Sequence, residues 1–391
     1  MGLEIRRFRA AEMEQGWELD RQVFASAPES KERFLQFADP DRVYGAFDAG
    51  RAVALLGVLP FVQNFGGRWL ASGGISSVAV APEFRGQGLA SRLLGAALVG
   101  MREGGDVVSP LFPANLRLYR QSGWELAGCY AIRKIGARDL LHLERPAAGE
   151  VRRARREDCA AIRAAYRRFA EKVPGMIDGE KRWWLLENQF DRFYTYVAVD
   201  AAGEVRGALV YENLEQPRGG EFSIHVHQIF AETRAASLAL WWVLGTSSSQ
   251  SDWVYYPAPV EDPLALLLPE HRQAIHADFR WMLRLVDVPA AIAGRGFPAG
   301  VEATVNFALD DPELPENAGA FRLRVEGGAG RLERIDGARL RMGIGAFSSW
   351  FSGWGTSASL ERAGLIADAG HEGALLDACF AGPTPWMMEE F

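Results

Sequence analysis

The segment that most restricts the fold runs from Gly73 to Leu98. A β-branched, apolar run (Gly73 to Pro82) passes into Glu83-Phe84-Arg85-Gly86-Gln87-Gly88, and Leu89, Leu93, Leu94 and Leu98 then recur at helical spacing. This predicts a strand, a glycine-rich turn and a helix in direct succession. Backbone N–H groups at such a turn, together with the positive end of the helix, form an anion site suited to a pyrophosphate. Gly86 and Gly88 let the backbone approach the ligand closely, Ala90 is small for the same reason, and Arg85 adds charge. The candidate binding residues are therefore Val78, Ala79, Val80, Arg85, Gly86, Gln87, Gly88, Leu89 and Ala90. The turn matches neither the dinucleotide fingerprint G-x-G-x-x-G nor the P-loop G-x-x-x-x-G-K-[ST].

The surrounding sequence has a repeated order of elements. A strand over Leu3 to Phe8, a helix over Ala10 to Phe24 and a hairpin turning at Asp48-Ala49-Gly50 precede the segment. Tyr194 to Glu212 echoes that hairpin, and Phe222 to Gly245 echoes the strand and helix, but its turn, Ile229 to Ser237, contains no glycine. This predicts a structural duplicate that has lost its site. Breaks rich in Pro, Gly and charge divide the chain into residues 1–147, 148–286 and 287–391. The last part reads as α+β, with alternating strands followed by helical patterns over Leu340 to Phe351 and Leu375 to Phe380.

At 391 residues, 48% hydrophobic and 24% charged, the chain is globular, with room for two to four domains. Forty-three Lys and Arg against 50 Asp and Glu leave a net charge of −7, which offers no global positive field for nucleic acid or anionic lipid and favours cationic small partners. Three scattered cysteines, with no C-x-x-C, point to a reducing compartment and no cysteine metal site. No stretch has the apolar length of a signal core or a membrane span, so the expectation is cytoplasmic residence.

The strand V-x-V-x-P followed by R-x-x-G-x-A (Val78 to Ala90) resembles the coenzyme A loop of the GNAT N-acetyltransferases. Asn115 to Trp124 resembles their N-x-x-x-Y-x-x-x-G-[FW] segment, which closes the acyl-CoA site. The degenerate second copy, the segment Leu314 to Gly328 and the ending Cys379 to Phe391 together resemble the Eis (enhanced intracellular survival) family over essentially the whole chain. The resemblance implies tandem GNAT-fold regions, each a mixed sheet flanked by helices, followed by a sterol-carrier-protein-like α+β domain, an α/β and α+β class as a whole. It implies acetyl-CoA as acyl donor, no metal, and direct transfer to a primary amine of an aminoglycoside, a polyamine, or a lysine or peptide. A homo-oligomer, a hexamer in the family, is also implied.

The resemblance carries roles residue by residue. The terminal carboxylate, here on Phe391, is the expected general base, although composition alone would leave a chain end frayed. Tyr119 is the expected general acid toward the departing thiolate, and Asn115 belongs to the acyl-CoA segment. Trp124, Glu390 and Glu29 are the expected acceptor-binding residues. Eis proteins carry a catalytic tyrosine where this chain has Trp124, and an indole has no accessible proton-transfer pKa. The acid role therefore passes to Tyr119, with Tyr130 or water as alternatives. If that departure marks lost catalysis, the same site would serve an acyl-CoA sensor. A lipid-carrier role would need a long apolar tunnel in the last domain, which the Glu and Arg scattered over Phe321 to Gly343 do not favour. Two further signals carry little weight. His225 and His227 share a strand face without a third ligand at zinc spacing, and the tryptophan pairs at 183–184 and 241–242 fit core or interface better than a cation cage.

Overall fold

The computed structural model describes residues 2–147, 150–188, 190–215, 222–388 and 390–391. The chain forms two compact units, one comprising the chain up to Ala127 with Trp281–Gly382 and Phe391, the other Gly128–Arg280 with Pro383–Glu390.

The first unit begins with β1 (Glu4–Arg7), α1 (Met13–Phe24), α2 (Lys31–Phe37), β2 (Val43–Asp48), β3 (Arg51–Phe65), β4 (Arg68–Val80), α3 (Leu89–Glu103), β5 (Val108–Leu111) and α4 (Leu116–Gln121). Strands β1 to β4 pair antiparallel in sequence order, the β2–β3 turn holding Ala49 and Gly50 at positive φ as a two-residue hairpin turn requires. β3 is apolar over most of its length because α1 and α3 both pack on it. α3 buries Leu89, Leu93, Leu94, Ala97, Leu98 and Met101, the stripe read from its leucine spacing. β5 runs parallel to β4 but meets it only at Ser72 and Val108, so beyond that pair the two strands separate.

The next strand along the chain, β6 (Glu125–Gly136), lies mainly in the second unit. That unit continues with β7 (Val151–Arg153), α5 (Cys159–Ala170), β8 (Ile177–Asp178), α6 (Glu180–Asn188), β9 (Tyr194–Val199), β10 (Val205–Glu215), β11 (Phe222–Ala231), α7 (Arg234–Gly245), β12 (Ser251–Ala258) and β13 (Ala274–Leu285). Its sheet follows β7, β9, β10 and β11 in antiparallel order, then β12 parallel to β11, then β6 antiparallel to β12. The first unit has the same pattern, closed by the end of β13, whose Met282–Leu285 pair antiparallel with β5. Each copy of the repeat is thus completed by a strand drawn from the other copy's stretch of sequence. Periodicity cannot reveal this, because the pattern of a strand does not identify which distant strand it pairs with.

The remaining chain, within the first unit, supplies α8 (Val288–Gly294), β14 (Ala303–Asp310), β15 (Gly319–Glu326), β16 (Ala329–Ile335), β17 (Leu340–Gly343), α9 (Ile344–Ser352), α10 (Ser357–Arg362) and α11 (Gly370–Phe380), with a four-stranded sheet ordered β16-β15-β14-β17. The helical reading from Leu340 is corrected here. Leu340 and Met342 are buried while Arg341 and Gly343 are exposed, a period of two, and these residues pair parallel with β14 before α9 begins. Phe307 packs on Phe347 at 4.8 Å between centroids and Phe347 on Phe380 at 5.9 Å, so side chains fill the middle of this domain.

The segment Leu314 to Gly319 earns its place through one buried network. Arg284, fully buried near the end of β13, donates to Asp311 (2.6 Å), to the carbonyl of Leu285 (2.6 Å) and to that of Ser122 just after α4 (3.1 Å). Asn317 donates to Asp311 and to the Val286 carbonyl, and accepts from Arg102 of α3 and from the Val288 N–H. The two helices that carry the glycine-turn and Asn115–Trp124 motifs of the first repeat, α3 and α4, are both tied to this network.

Candidate active site

β4 carries an irregularity that the sequence does not announce. Between Leu55 and Gly57 its register slips, so that Ser77 and Val78 face the single residue Leu56, and Ser77 takes φ +53°. A serine in the left-handed region gives no glycine signal, and only the strand pairing exposes it. From Ser76 to Val78, and again at Val80, the strand is half-exposed, whereas Ala79 is buried. The backbone on the side where β5 has separated is therefore free to pair with an extended ligand.

β4 ends at a short 3-10 turn, Pro82–Phe84, and Arg85 folds back to donate to the Val80 carbonyl at 3.3 Å. Gly86 (φ +78°) and Gly88 (φ +73°) hold conformations that an L side chain adopts at a cost. Gly88 is the N-cap of α3, with no side-chain cap and no acidic residue in the first turn. The first N–H groups of a four-turn helix are thus left for an external anion, where the helix dipole adds attraction. Replacing both Gly86 and Gly88 by alanine should leave the fold intact, because an added Cβ meets nothing within 4 Å at either position. The strain, about 1 kcal/mol at each of the two positions, should instead appear as a KM for acetyl-CoA raised roughly thirtyfold, checked by steady-state kinetics beside a melting curve.

The duplicate repeat is closed at the same place. In α7 the Thr233 hydroxyl oxygen accepts from the Ala236 N–H at 3.2 Å, and Glu232, one residue earlier, is paired with Arg168 at 2.7 Å. A carboxylate and a side-chain cap stand where the first copy offers free N–H groups.

Asn115 begins α4, its side-chain oxygen accepting from the N–H groups of Arg117 (3.0 Å) and Leu118 (3.4 Å). It therefore sets the direction of the helix that carries Tyr119, and that oxygen is spent as a cap. Tyr119 is 6% exposed, and burial pushes its phenol above the ordinary value, keeping the proton in place at neutral pH. Gly123 (φ +88°) ends the helix, and a side chain there would come within 2.7 Å of the Arg284 Nε. Trp124, read as an acceptor wall, is corrected: it is fully buried, and its indole N–H donates to the Ser109 carbonyl at 2.9 Å, so it packs the core behind the site.

The tail is ordered by its surroundings. In the second unit Cys129 donates its N–H to Pro385 and accepts from that of Met387, Trp386 donates to the Pro174 carbonyl, and Trp386 to Met388 are buried. In the first unit the Phe391 ring packs edge-on against Phe61 of β3 (4.9 Å between centroids) and Phe112 (5.7 Å), over Gly74 of β4. The chain end thus lies where β4 and β5 part, about 13 Å along β4 from Val78 at ~3.3 Å per residue. Tyr119 follows Phe112 by seven residues. The structure therefore gathers the glycine loop, α4 and Phe391 on one unit. Glu390 is exposed, Glu389 lies outside the described residues, and Glu29 sits exposed after α1 with no described contact to this cluster. Tyr130 stacks on Phe279 at 5.8 Å within the second unit.

The two strand histidines are individually partnered, His225 with Ser223 and Tyr255, His227 with Glu212. Among the described residues no group of three or more His, Cys, Asp or Glu side chains is placed to hold a metal, and no helix is long and apolar enough to cross a membrane.

The geometry of the first unit, splayed parallel strands leading into an uncapped glycine-built helix start, defines an acyl-CoA acyltransferase of the GNAT class. Comparison with known proteins agrees: residues 4–127 and 175–285 each match an acetyltransferase (GNAT) domain, and residues 288–388 match a sterol carrier protein domain. An uncharacterized N-acetyltransferase of Streptomyces griseus is 31% identical over 90% of both chains, and another from Streptomyces avermitilis 29% over 94% of both. Among solved structures, a GCN5-related N-acetyltransferase from Anabaena variabilis superimposes over the full length of both chains with a TM-score of 0.93 at 26% identity. Eis1 from Mycobacterium abscessus does so over 99% of this chain and all of its own, with a TM-score of 0.84 at 24% identity. The chain belongs to the GNAT N-acetyltransferases, enzymes that take acetyl-CoA as acyl donor and an amine as acceptor.

Proposed function

We propose that the protein transfers an acetyl group from acetyl-CoA directly to the primary amine of a cationic acceptor, with aminoglycosides, polyamines and lysine or peptide amines as the classes carried forward. The observation that carries this reading is the open edge of β4 running into the uncapped start of α3, a donor site complete within one unit. The donor contributes an activated thioester. Residues Val78 to Val80 pair with its extended arm, and the N–H groups from Gly86 to Ala90, with Arg85, hold its pyrophosphate.

The Phe391 carboxylate accepts a proton from the acceptor ammonium, freeing the nitrogen lone pair to form the new C–N bond. Backbone N–H groups at the Ser77 irregularity stabilise the oxygen that gains charge. As the C–S bond breaks, the Tyr119 phenol gives its proton to the sulfur and is restored by the second proton that leaves the nitrogen of the collapsing intermediate, while the proton taken by Phe391 returns to solvent. N-acetylamine and the free thiol are the products.

The test is thiol release from acetyl-CoA across an amine panel, with Tyr119→Phe alongside. The variant should lose about 10²-fold in kcat while binding acetyl-CoA as before. Unchanged kcat would remove Tyr119 from the acid role. Tight binding of acetyl-CoA with no turnover of any amine by the parent chain would favour a sensor over an enzyme.

A further inference from the structure

Where β4 and β5 part, a side chain takes over from the backbone. The two strands pair at Ser72 and Val108. One residue further on, the buried Ser109 hydroxyl donates to the Gly73 carbonyl at 2.6 Å and so reaches across the opening of the fork. The two sides of that fork carry different parts of the reaction. β4 holds Gly74, on which Phe391 rests, and it is fixed against the core at Gly73, where an added Cβ would come within 2.5 Å of the Met101 sulfur and 2.8 Å of Val58. On the other side Ser109 pairs with Arg284 of β13, and Arg284 donates to the Ser122 carbonyl just after α4. The Trp124 indole donates to the Ser109 carbonyl at 2.9 Å, and the Trp124 backbone N–H donates to the Tyr119 carbonyl at 3.1 Å. β5, the end of β13 and α4 are thus one hydrogen-bonded block, and that block carries Tyr119.

Resting on the function proposed above, we infer that Ser109 is a positioning residue: its bond to Gly73 sets the opening of the fork, and with it the separation of Tyr119 from the seat of the Phe391 carboxylate. Trp124 passes that setting on to α4, a task open to an indole that cannot itself transfer a proton. The spacing matters because proton transfer needs its partners within about 3 Å, and a misplacement of about 1 Å costs roughly 10²-fold in rate. Without the Ser109 hydroxyl the buried Gly73 carbonyl loses its donor, and the block is free to swing about the Ser72–Val108 pair.

The experiment measures kcat and KM for acetyl-CoA, with the best amine of the panel, in the full chain carrying Ser109→Ala, Tyr119→Phe or both. Trp124→Phe, which keeps a ring and loses the N–H, tests the same relay should Ser109→Ala fail to fold. Each relay variant should lose about tenfold in kcat with KM for acetyl-CoA within twofold of the parent, and neither should cost more than about twofold when added to Tyr119→Phe. A residue that only supports the fold would cost the same factor in both backgrounds. Indifference of kcat to Ser109→Ala, or a further tenfold loss on adding it to Tyr119→Phe, overturns the inference while leaving the enzyme intact. If no amine is acetylated, or if Tyr119→Phe keeps full kcat, the function proposed above fails instead, and crystal structures of the parent and Ser109→Ala with CoA bound decide the inference separately. A Tyr119 hydroxyl displaced by about 0.5 Å or more relative to Gly74 supports it, and an unmoved one overturns it.

Discussion

A chain extended by two or three residues beyond Phe391 should bind acetyl-CoA normally and lose about 10²- to 10⁴-fold in kcat, the range expected when a general base is removed. The extension turns the terminal carboxylate into a neutral amide and forces more chain into a seat closed by Phe61, Phe112 and Gly74. Gly74→Ala should give the same signature without altering the chain end. Its Cβ would lie 2.6 Å from the Phe391 ring and 2.5 Å from that of Phe61, too close for either to stay. Calorimetric binding of acetyl-CoA beside thiol-release kinetics checks both variants. Full activity in the extended chain would show that the base lies elsewhere.

Asp311→Ala should be strongly destabilising, because it strands Arg284, which has no solvent exposure, without the carboxylate that pairs with it. Breaking one side of a buried pair costs about 3–5 kcal/mol, or roughly 10 °C in Tm for a unit of this size. The damage should extend beyond the pair, since Asp311 also accepts from Asn317 and from the Leu314 N–H, and Arg284 holds the carbonyl that follows α4. The double variant Arg284→Met with Asp311→Leu removes both charges and should recover much of the loss. Thermal and urea unfolding of the three proteins measures this directly. A loss below about 1 kcal/mol for Asp311→Ala would mean that water reaches the network.

The strand, glycine turn and helix proposed to hold the donor were legible in the sequence because their requirements are local. A backbone at positive φ needs glycine at 86 and 88, a β-to-α turn needs apolar periodicities on each side, and α3 shows its buried face through leucine spacing. Asn115 and Tyr119 were legible as a motif, and the structure added that Asn115 acts by capping the helix that carries Tyr119. Ser77 was not legible, since its left-handed conformation is imposed by how β4 pairs with β3. Nor was the burial of Trp124, whose indole could equally have faced a pocket until Ser109 supplied its hydrogen-bond acceptor.

By itself, then, the sequence determined the elements and the glycine-built turn, which depend on dihedral preferences and on apolar periods spanning a few residues. Tertiary structure alone decided that β6 and the end of β13 complete each other's repeats and that Arg284 finds Asp311. It also decided that Phe391 comes to rest on Gly74. These pairings join residues distant along the chain, and no local preference distinguishes one apolar strand or ring from another as a partner. The burial gained across the whole fold makes that choice.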